Sequence, residues 1–462
     1  MGRRVHSAAL AKRKTFRGFG EAFAWLASRT NYETMATQRY DARTYGLHRA
    51  ERLLRDAGRP DRAFDTVQVL GSKGKGSTAT ALAAILRASG RRVGLFTSPH
   101  LIDPRERIRI DGAAAPDGLV CDALSALVPA AEAAIARREP LTFFELHTAA
   151  VLSAFREAGC DAVVLEAGMG GRLDATSAAR AVCKVITSIS LDHTQHLGRT
   201  RAAIAFEKAS AVRRGVPLVC GVRPQTAAGR VIGKVASDAG APVLALGRDF
   251  DVRRVRTSFD AATGAARTTF HLRTRGASPV ADAELAVPLL GTYQAVNAAL
   301  AAVAAATARW RGGRISPDHV REGLAATSLR ARLEAVSTTP LLLVDGAHNP
   351  QSVGLLARTV RDHVPGTPRV FVVGMAADKD VRGCLRRLRG VANHVVSTTS
   401  GQARAASPED LARTARAAGL SAEPAPSLPE AIAQARRLAG SEGVIVVTGS
   451  LYLCGEFLRF WR

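Results

Sequence analysis

The chain has 462 residues, 47% of them hydrophobic and 5% aromatic, with a formal net charge of +24. That length calls for two or three domains, and no apolar run reads as long enough to cross a bilayer, which argues against an integral membrane protein. Arginine is spread with alanine along the whole sequence and base-stacking aromatics are scarce, so the charge suits anionic small substrates better than nucleic acid.

Residues 1–18 carry Arg3, Arg4, Lys12, Arg13, Lys14 and Arg17 without an acid and without the apolar core of a secretory signal. They are expected to form a disordered basic arm of a cytoplasmic protein, although an Arg-rich, acid-poor segment also fits a mitochondrial-type address. Residues 20–62 read as helical up to the break at Gly58-Arg59-Pro60. Strand-like runs at 65–70, 92–97, 161–167, 184–190 and 217–221 then alternate with helical ones, the pattern of a parallel sheet with helices on both faces. Alternating polar and apolar residues over 250–288, with a turn at Ala262-Thr263-Gly264, predict a small antiparallel insertion. Helices are expected at 294–309 and near 317–326, and a second α/β series has strands near 340–345, 369–374, 394–399 and 443–448. The domain boundary falls near 327–335, giving an arm (1–18), a first domain (19–330) and a second (331–462). The six cysteines (121, 160, 183, 220, 384 and 454) form no C-x-x-C pair and read as buried free thiols.

The segment Gly71–Thr78, GSKGKGST, follows the apolar run Thr66–Leu70 and precedes the helical pattern Ala81–Leu86. Strand, glycine-rich turn and helix N-terminus form a phosphate cradle, because loop N–H groups and the positive end of the helix dipole converge on one anion. Lys75 would neutralise outer phosphates and Ser77 would hold a magnesium ion, although Gly76 separates them, unlike the usual Gly-Lys-Ser/Thr ending.

Open parallel sheets bind ligands at the carboxyl ends of their strands. Here four strand ends carry polar clusters: Thr97-Ser98-Pro99-His100, Glu166, Ser190-Leu191-Asp192-His193-Thr194, and Asp345-Gly346-Ala347-His348-Asn349. An acid ending a buried strand is poised for a nucleotide's magnesium. His193 alone would pass equally for a core histidine.

Taken together, GSKGKGST, LFTSPHL (95–101), RERIRIDG (105–112), LEAGMGGRLDATS (165–177), SLDHTQHLG (190–198), EKAS (207–210), VPLLGTYQAVNAA (287–299), ARLE (331–334), VDGAHNP (344–350), GMAADKD (374–380) and VTGSLYL (447–453) resemble the folylpolyglutamate synthase/dihydrofolate synthase family of Mur-ligase-like amide ligases. The resemblance runs from about residue 20 to 460. It implies a P-loop α/β domain followed by a Rossmann-like α/β domain, with ATP as phosphoryl donor, L-glutamate as nucleophile and a pteroate or folate carboxylate as acceptor.

By that resemblance Gly74, Lys75, Gly76 and Ser77 bind the phosphates, while Asn297, Arg332 and Asp345 complete the ATP contacts. Ser98, Glu166 and His193, with Ser77, look like ligands for one or two Mg2+. Lys208 matches a carbamylated lysine that helps hold the second ion, and on its own would pass for a helix-surface charge. His348 is placed to meet glutamate. Phe144, Glu145, Leu173, Asp174 and Ala175 fall where the family binds its pterin. Lys75, Lys208 and His348 would thus carry the catalytic roles, in a monomer without nucleic-acid or membrane partners. A Mur-type ligase with another acceptor and a non-catalytic nucleotide- or nucleic-acid-binding relative are the competing readings. The chain departs from the family pattern at Ser72-Lys73, where Thr-Asn is usual, and at Leu146-His147.

Overall fold

The structure, a computed structural model, describes residues 15–32, 41, 45–275, 282–402 and 404–461. Its first sheet has eight strands: β1 (Asp65–Leu70), β2 (Val93–Phe96), β3 (Ile108–Ile110), β4 (Ala113–Ala114), β5 (Ala162–Glu166), β6 (Cys183–Ile186), β7 (Leu218–Cys220) and β8 (Val243–Ala245). They lie in the order β4-β3-β2-β5-β1-β6-β7-β8, parallel from β2 to β8 with an antiparallel edge at β3 and β4. Every residue of β1 and β5 is buried, as central parallel strands covered on both faces require. This order sets β2, β5, β1 and β6 side by side, so the segments that follow them share one end of the sheet.

The helix Lys75–Ala88 packs against the alanine-rich helix Thr292–Thr307 and against Pro317–Ala325. Small residues bring the axes close. A methyl group on Gly323 would overlap the backbone of Ile85, so glycine is required there by approach rather than by torsion.

The antiparallel insertion is a three-stranded sheet of β9 (Phe250–Phe259), β10 (Ala266–Thr274) and β11 (Ala283–Val287). Phe259, Ala261 and Ala266, near the tip of the β9–β10 hairpin, pack against the core of the second α/β unit. That unit has strands β12 (Arg332–Thr338), β13 (Leu341–Asp345), β14 (Arg369–Val373), β15 (His394–Ser397), β16 (Ala422–Pro424) and β17 (Val444–Thr448). Their order is β12-β13-β17-β14-β15-β16, parallel except for the β12 edge.

Several expectations need correction. Strand β6 stops at Ile186, so the Ser190–Thr194 cluster belongs to the loop beyond it and not to a strand end. Among the described residues the stretch 20–62 breaks into two α-helices, Phe19–Ala27 and Leu47–Asp56, and a short 3-10 turn, Pro60–Arg62, with residues 33–40 and 42–44 outside the described residues. Arg3, Arg4, Lys12, Arg13 and Lys14 of the basic arm also lie outside them, whereas Phe16, counted within the arm, is buried beside Trp25 at a ring separation of 5.5 Å. The helix Asp117–Ala136 is long and apolar enough, by length and composition, to cross a membrane, with a mean hydropathy of 1.7. Half of that window is buried, and the helix packs on Phe143–Glu157 and Phe19–Ala27, which makes it a core helix. All six cysteines are buried and free, as expected.

Candidate active site

The loop after β1 turns on Gly71 (φ +146°) and Gly74 (φ +86°), and the helix Lys75–Ala88 starts immediately behind it. Positive φ at Gly74 is cheap only without a Cβ, and it aims the first helical N–H groups into the loop's mouth. The Lys75 ammonium donates to the Gly71 carbonyl at 3.3 Å, and Ser77 is buried in the first helical turn. Asn297 lies directly against Gly74, with its amide donating to Gln294 Oε1 at 2.9 Å.

Glu166 ends β5, one strand away, and is 6% exposed. Its Oε2 accepts the Ser98 N–H at 3.1 Å and faces Gly76, so the loop, β2 and β5 meet at this carboxylate. Burial raises its pKa, opposed by Lys75, the Ser98 N–H, Arg332 and Arg107. His193 has a left-handed backbone (φ +50°) at the start of a short helix. Burial drives its pKa down to about 4, against Asp192 and with Lys75, Lys379 and Lys208, which leaves a neutral imidazole able to accept a cation. Lys208, on the helix Arg201–Ala209, is buried, and its pKa is lowered to about 7 by desolvation and then by Lys75, against Asp192 and Asp174.

The second unit contributes from the carboxyl end of β13. Arg332 pairs in register with Asp345 across β12–β13. The Asp345 carboxylate accepts the N–H groups of Leu333 (3.0 Å) and Ala347 (2.9 Å). Burial raises the Asp345 pKa, with Arg332 opposing, and the same desolvation raises Tyr293 beside both charges. His348 Nδ1 lies 2.8 Å from the Gly346 carbonyl, and its Nε2 lies 3.0 Å from Lys73 Nζ of the phosphate loop. Thus Lys75, Glu166, His193 and Lys208 gather at the end of the first sheet, and Arg332, Asp345 and His348 come from the second unit, with Arg332 near enough to act on the Glu166 carboxylate.

The residues expected at the acceptor behave differently. Phe144 is half-buried, its ring against Gly168 just past β5 and 5.8 Å from that of Phe96. Glu145 is engaged within the protein itself. One oxygen accepts Arg49 Nε at 2.9 Å and the other accepts the Thr142 N–H and hydroxyl, closing a helix capping box. Asp174 likewise works inside its own loop, accepting the Met169 and Thr176 N–H groups at 3.0 Å, and Ala175 is buried beside it, while Leu173 is half-buried.

Residues absent from the sequence-derived set also enter the site. Asp192 pairs with Lys73 at 3.1 Å, Tyr293 sits beside Arg332 and Asp345, and the buried Gln294 Nε2 has no partner among the described residues. The TYQAVN segment held a signal for Gln294, being an amide one turn before Asn297. The Lys73–Asp192 contact had none, since 119 sequence positions separate the two residues.

Residues 69–306 match the family model of the Mur ligase middle domain, and residues 331–451 match that of the Mur ligase glutamate ligase domain. The chain is 34% identical to the dihydrofolate synthase/folylpolyglutamate synthase of Mycobacterium tuberculosis over 466 aligned positions, covering 93% of each chain. It is 38% identical, over 90% of its length, to a probable bifunctional folylpolyglutamate synthase/dihydropteroate synthase of Haloferax volcanii, and spans 48% of that relative, about half its length. Among solved structures, Mycobacterium tuberculosis folylpolyglutamate synthase complexed with ADP superposes with a TM-score of 0.82 at 30% identity, covering 96% of this chain and 98% of that one. Escherichia coli FolC in complex with DHPP and ADP gives 0.79 at 30% identity, covering 95% and 97%.

Proposed function

The chain belongs to the folylpolyglutamate synthase/dihydrofolate synthase family of Mur ligases, and from that premise we propose that it uses ATP to join L-glutamate to a dihydropteroate or reduced-folate acceptor. The observation that carries this reading is the meeting of the two units at the phosphate loop, where Lys75 and Arg332 both act on the buried Glu166 carboxylate and Lys73 reaches His348. A loop built for phosphates on one wall and a polar turn on the other bring a phosphoryl donor and an amine nucleophile to one acceptor.

The acceptor carboxylate attacks the γ-phosphoryl group of ATP, and ADP leaves with the bridging oxygen. The glutamate amine then adds to the acyl phosphate carbonyl, loses a proton and expels inorganic phosphate. Neither step needs covalent participation by the protein, so catalysis rests on position and charge. The loop N–H groups and Lys75 would hold the phosphates, Asn297 and Gln294 would meet the nucleotide beside Gly74, and Arg332 would pair with phosphate oxygens across the cleft. Phe144 would stack on the pterin.

Magnesium fits the residues present. Glu166 is a carboxylate whose pKa burial raises despite Lys75, the Ser98 N–H, Arg332 and Arg107, so a cation beside it would stabilise its charged form, and His193 is held neutral. Glu166, His193, Ser98 and Ser77 would hold the ion, and when bound it neutralises charge developing on the transferring phosphoryl group. Lys208, with an amine half unprotonated near pH 7, is suited to carry a carbamate as a further ligand. One chain supplies the residues from both units, so a monomer suffices, and the cytoplasm is the compartment proposed for it.

The test is phosphate release from ATP with glutamate, with dihydropteroate in one reaction and tetrahydrofolate in another. Release with both identifies a bifunctional enzyme, and release with one assigns the step. No release with either, from protein that binds ATP, would defeat the proposal.

A further inference from the structure

Lys73 is the side chain of the phosphate loop that reaches the second α/β unit, and the chemistry above makes no use of it. Its Nζ lies 3.1 Å from Asp192 Oδ2, in the loop beyond β6, and 3.0 Å from His348 Nε2, in the turn beyond β13. Its main chain is pinned as well. The Thr187 and Ser188 hydroxyls donate to the Lys73 carbonyl at 2.7 and 3.0 Å, and the Lys73 N–H donates to Ser188 Oγ at 3.1 Å.

The proton pattern on His348 follows from these contacts. A carbonyl can only accept, so the ring nitrogen facing the Gly346 carbonyl carries the hydrogen. Nε2 is then an acceptor, and the Lys73 ammonium is its donor. Burial holds this ring neutral, with its pKa lowered to about 3, which keeps the acceptor in place across the ordinary pH range. The ammonium therefore has two partners, one in each unit.

We propose that Lys73 is a positioning residue that clasps the phosphate loop to the His348 turn, holding the glutamate-binding wall at the distance that amide formation needs. Arg332 also meets Glu166 and Tyr293 within the site, but several other contacts between the units are of a different kind. Leu101 and Ile102 pack near Phe457, Arg459 donates to the Ile102 carbonyl at 2.9 Å, and the β9–β10 hairpin packs on the second core. Those contacts join the units at their surfaces, whereas the Lys73 bridge ties the loop that holds the donor to the turn that meets the nucleophile. A charge-assisted pair of this geometry is directional, so it fixes separation as well as adding affinity. The assignment of the glutamate wall rests on the ligase reading above, while the clasp itself does not.

The experiment compares wild type, Lys73→Met, Lys73→Arg and Asp192→Asn. For Lys73→Met we expect KM for glutamate to rise about tenfold and KM for ATP to stay within about threefold, with Lys73→Arg recovering most of the loss. Asp192→Asn should shift the same constant in the same direction by a smaller factor. A rise in KM for ATP with glutamate unaffected would overturn the clasp and make Lys73 a phosphate ligand, and unchanged constants would also overturn it. ADP binding and thermal melting establish that each variant is folded. Should wild type show no ligase turnover, the clasp is still read by small-angle scattering of the ligand-free proteins. A larger radius of gyration for Lys73→Met supports it, and equal radii sink it.

Discussion

Asn297 presses its side-chain amide against Gly74, so that a Cβ at position 74 would overlap the amide while the backbone sits at φ +86°. The nucleotide loop is thus shaped from the side by a helix more than 200 residues further along the chain. Gly74→Ala must both strain the turn and push Asn297 aside. We expect affinity for ADP, read by calorimetry, to fall at least about tenfold, with loss of melting temperature well below that of a core truncation. Retained affinity would show that the loop is looser than its geometry implies.

Glu166 pits stability against function. Its carboxylate is buried and its pKa raised, so the charged form is carried at a cost in the ligand-free protein. Glu166→Gln keeps the shape and removes the charge. Turnover should drop by about two to three orders of magnitude, while stability at pH 8 stays equal or rises by about 1 kcal/mol. Denaturant unfolding beside a turnover assay checks both, and a stability loss above that size would mean the carboxylate is compensated.

Lys208 gives a pH signature. A carbamate forms only from the unprotonated amine, and burial brings this group to about 7. Activity should therefore rise with pH through about 7, respond to added bicarbonate, and show a carbamate carbon signal with labelled bicarbonate. Lys208→Arg should abolish the signal and the bicarbonate response together. A bicarbonate-independent wild type would remove the carbamate from the mechanism.

Lys184 lies under the site in a buried polar chain. Its ammonium donates to Gln68 Oε1, and Gln68 Nε2 donates to Thr176 and Ser177 at 2.7 and 2.8 Å, tying β6 and β1 to the segment after Asp174. Desolvation lowers its pKa from 10.5 to about 7. Between those values the unfolded chain binds a proton that the folded chain refuses, so stability falls as pH drops from about 10 to about 7 and rises in the other direction. Lys184→Met removes this slope. Urea unfolding of wild type and variant at pH 7 and pH 9.5 should show wild type gaining more, by roughly 2 kcal/mol or above. Parallel behaviour would mean the lysine is solvated in the native state.

Much of the fold was legible because its strands are buried on both faces and read as continuous apolar runs, as in Val163–Leu165 and Val370–Val373. Edge elements were not. The edge strand β12 and the short strand β16 carry polar, half-exposed residues, and their pairing with β13 and β15 comes from long-range contact. The end of β6 was misjudged for a related reason, since Thr187–Ile189 is composed like a strand but has turned away to clamp the phosphate loop. Glu145 and Asp174 show the same limit within the site. A carboxylate in a polar motif looks free in one dimension, and only the packed chain brings Arg49 or the Met169 N–H against it.

By itself the sequence determined the family, the two α/β series and the phosphate loop, because glycine torsions, strand burial and helix starts are local properties that neighbouring residues dictate. Tertiary structure decided which charges share a cavity. Strand order placed Glu166 beside Gly76, and docking of the two units set Lys73 between Asp192 and His348 and Arg332 within reach of Glu166. Desolvation then gave Lys208, His193 and His348 their protonation states, and desolvation is a property of the surrounding volume that no local stretch of chain carries.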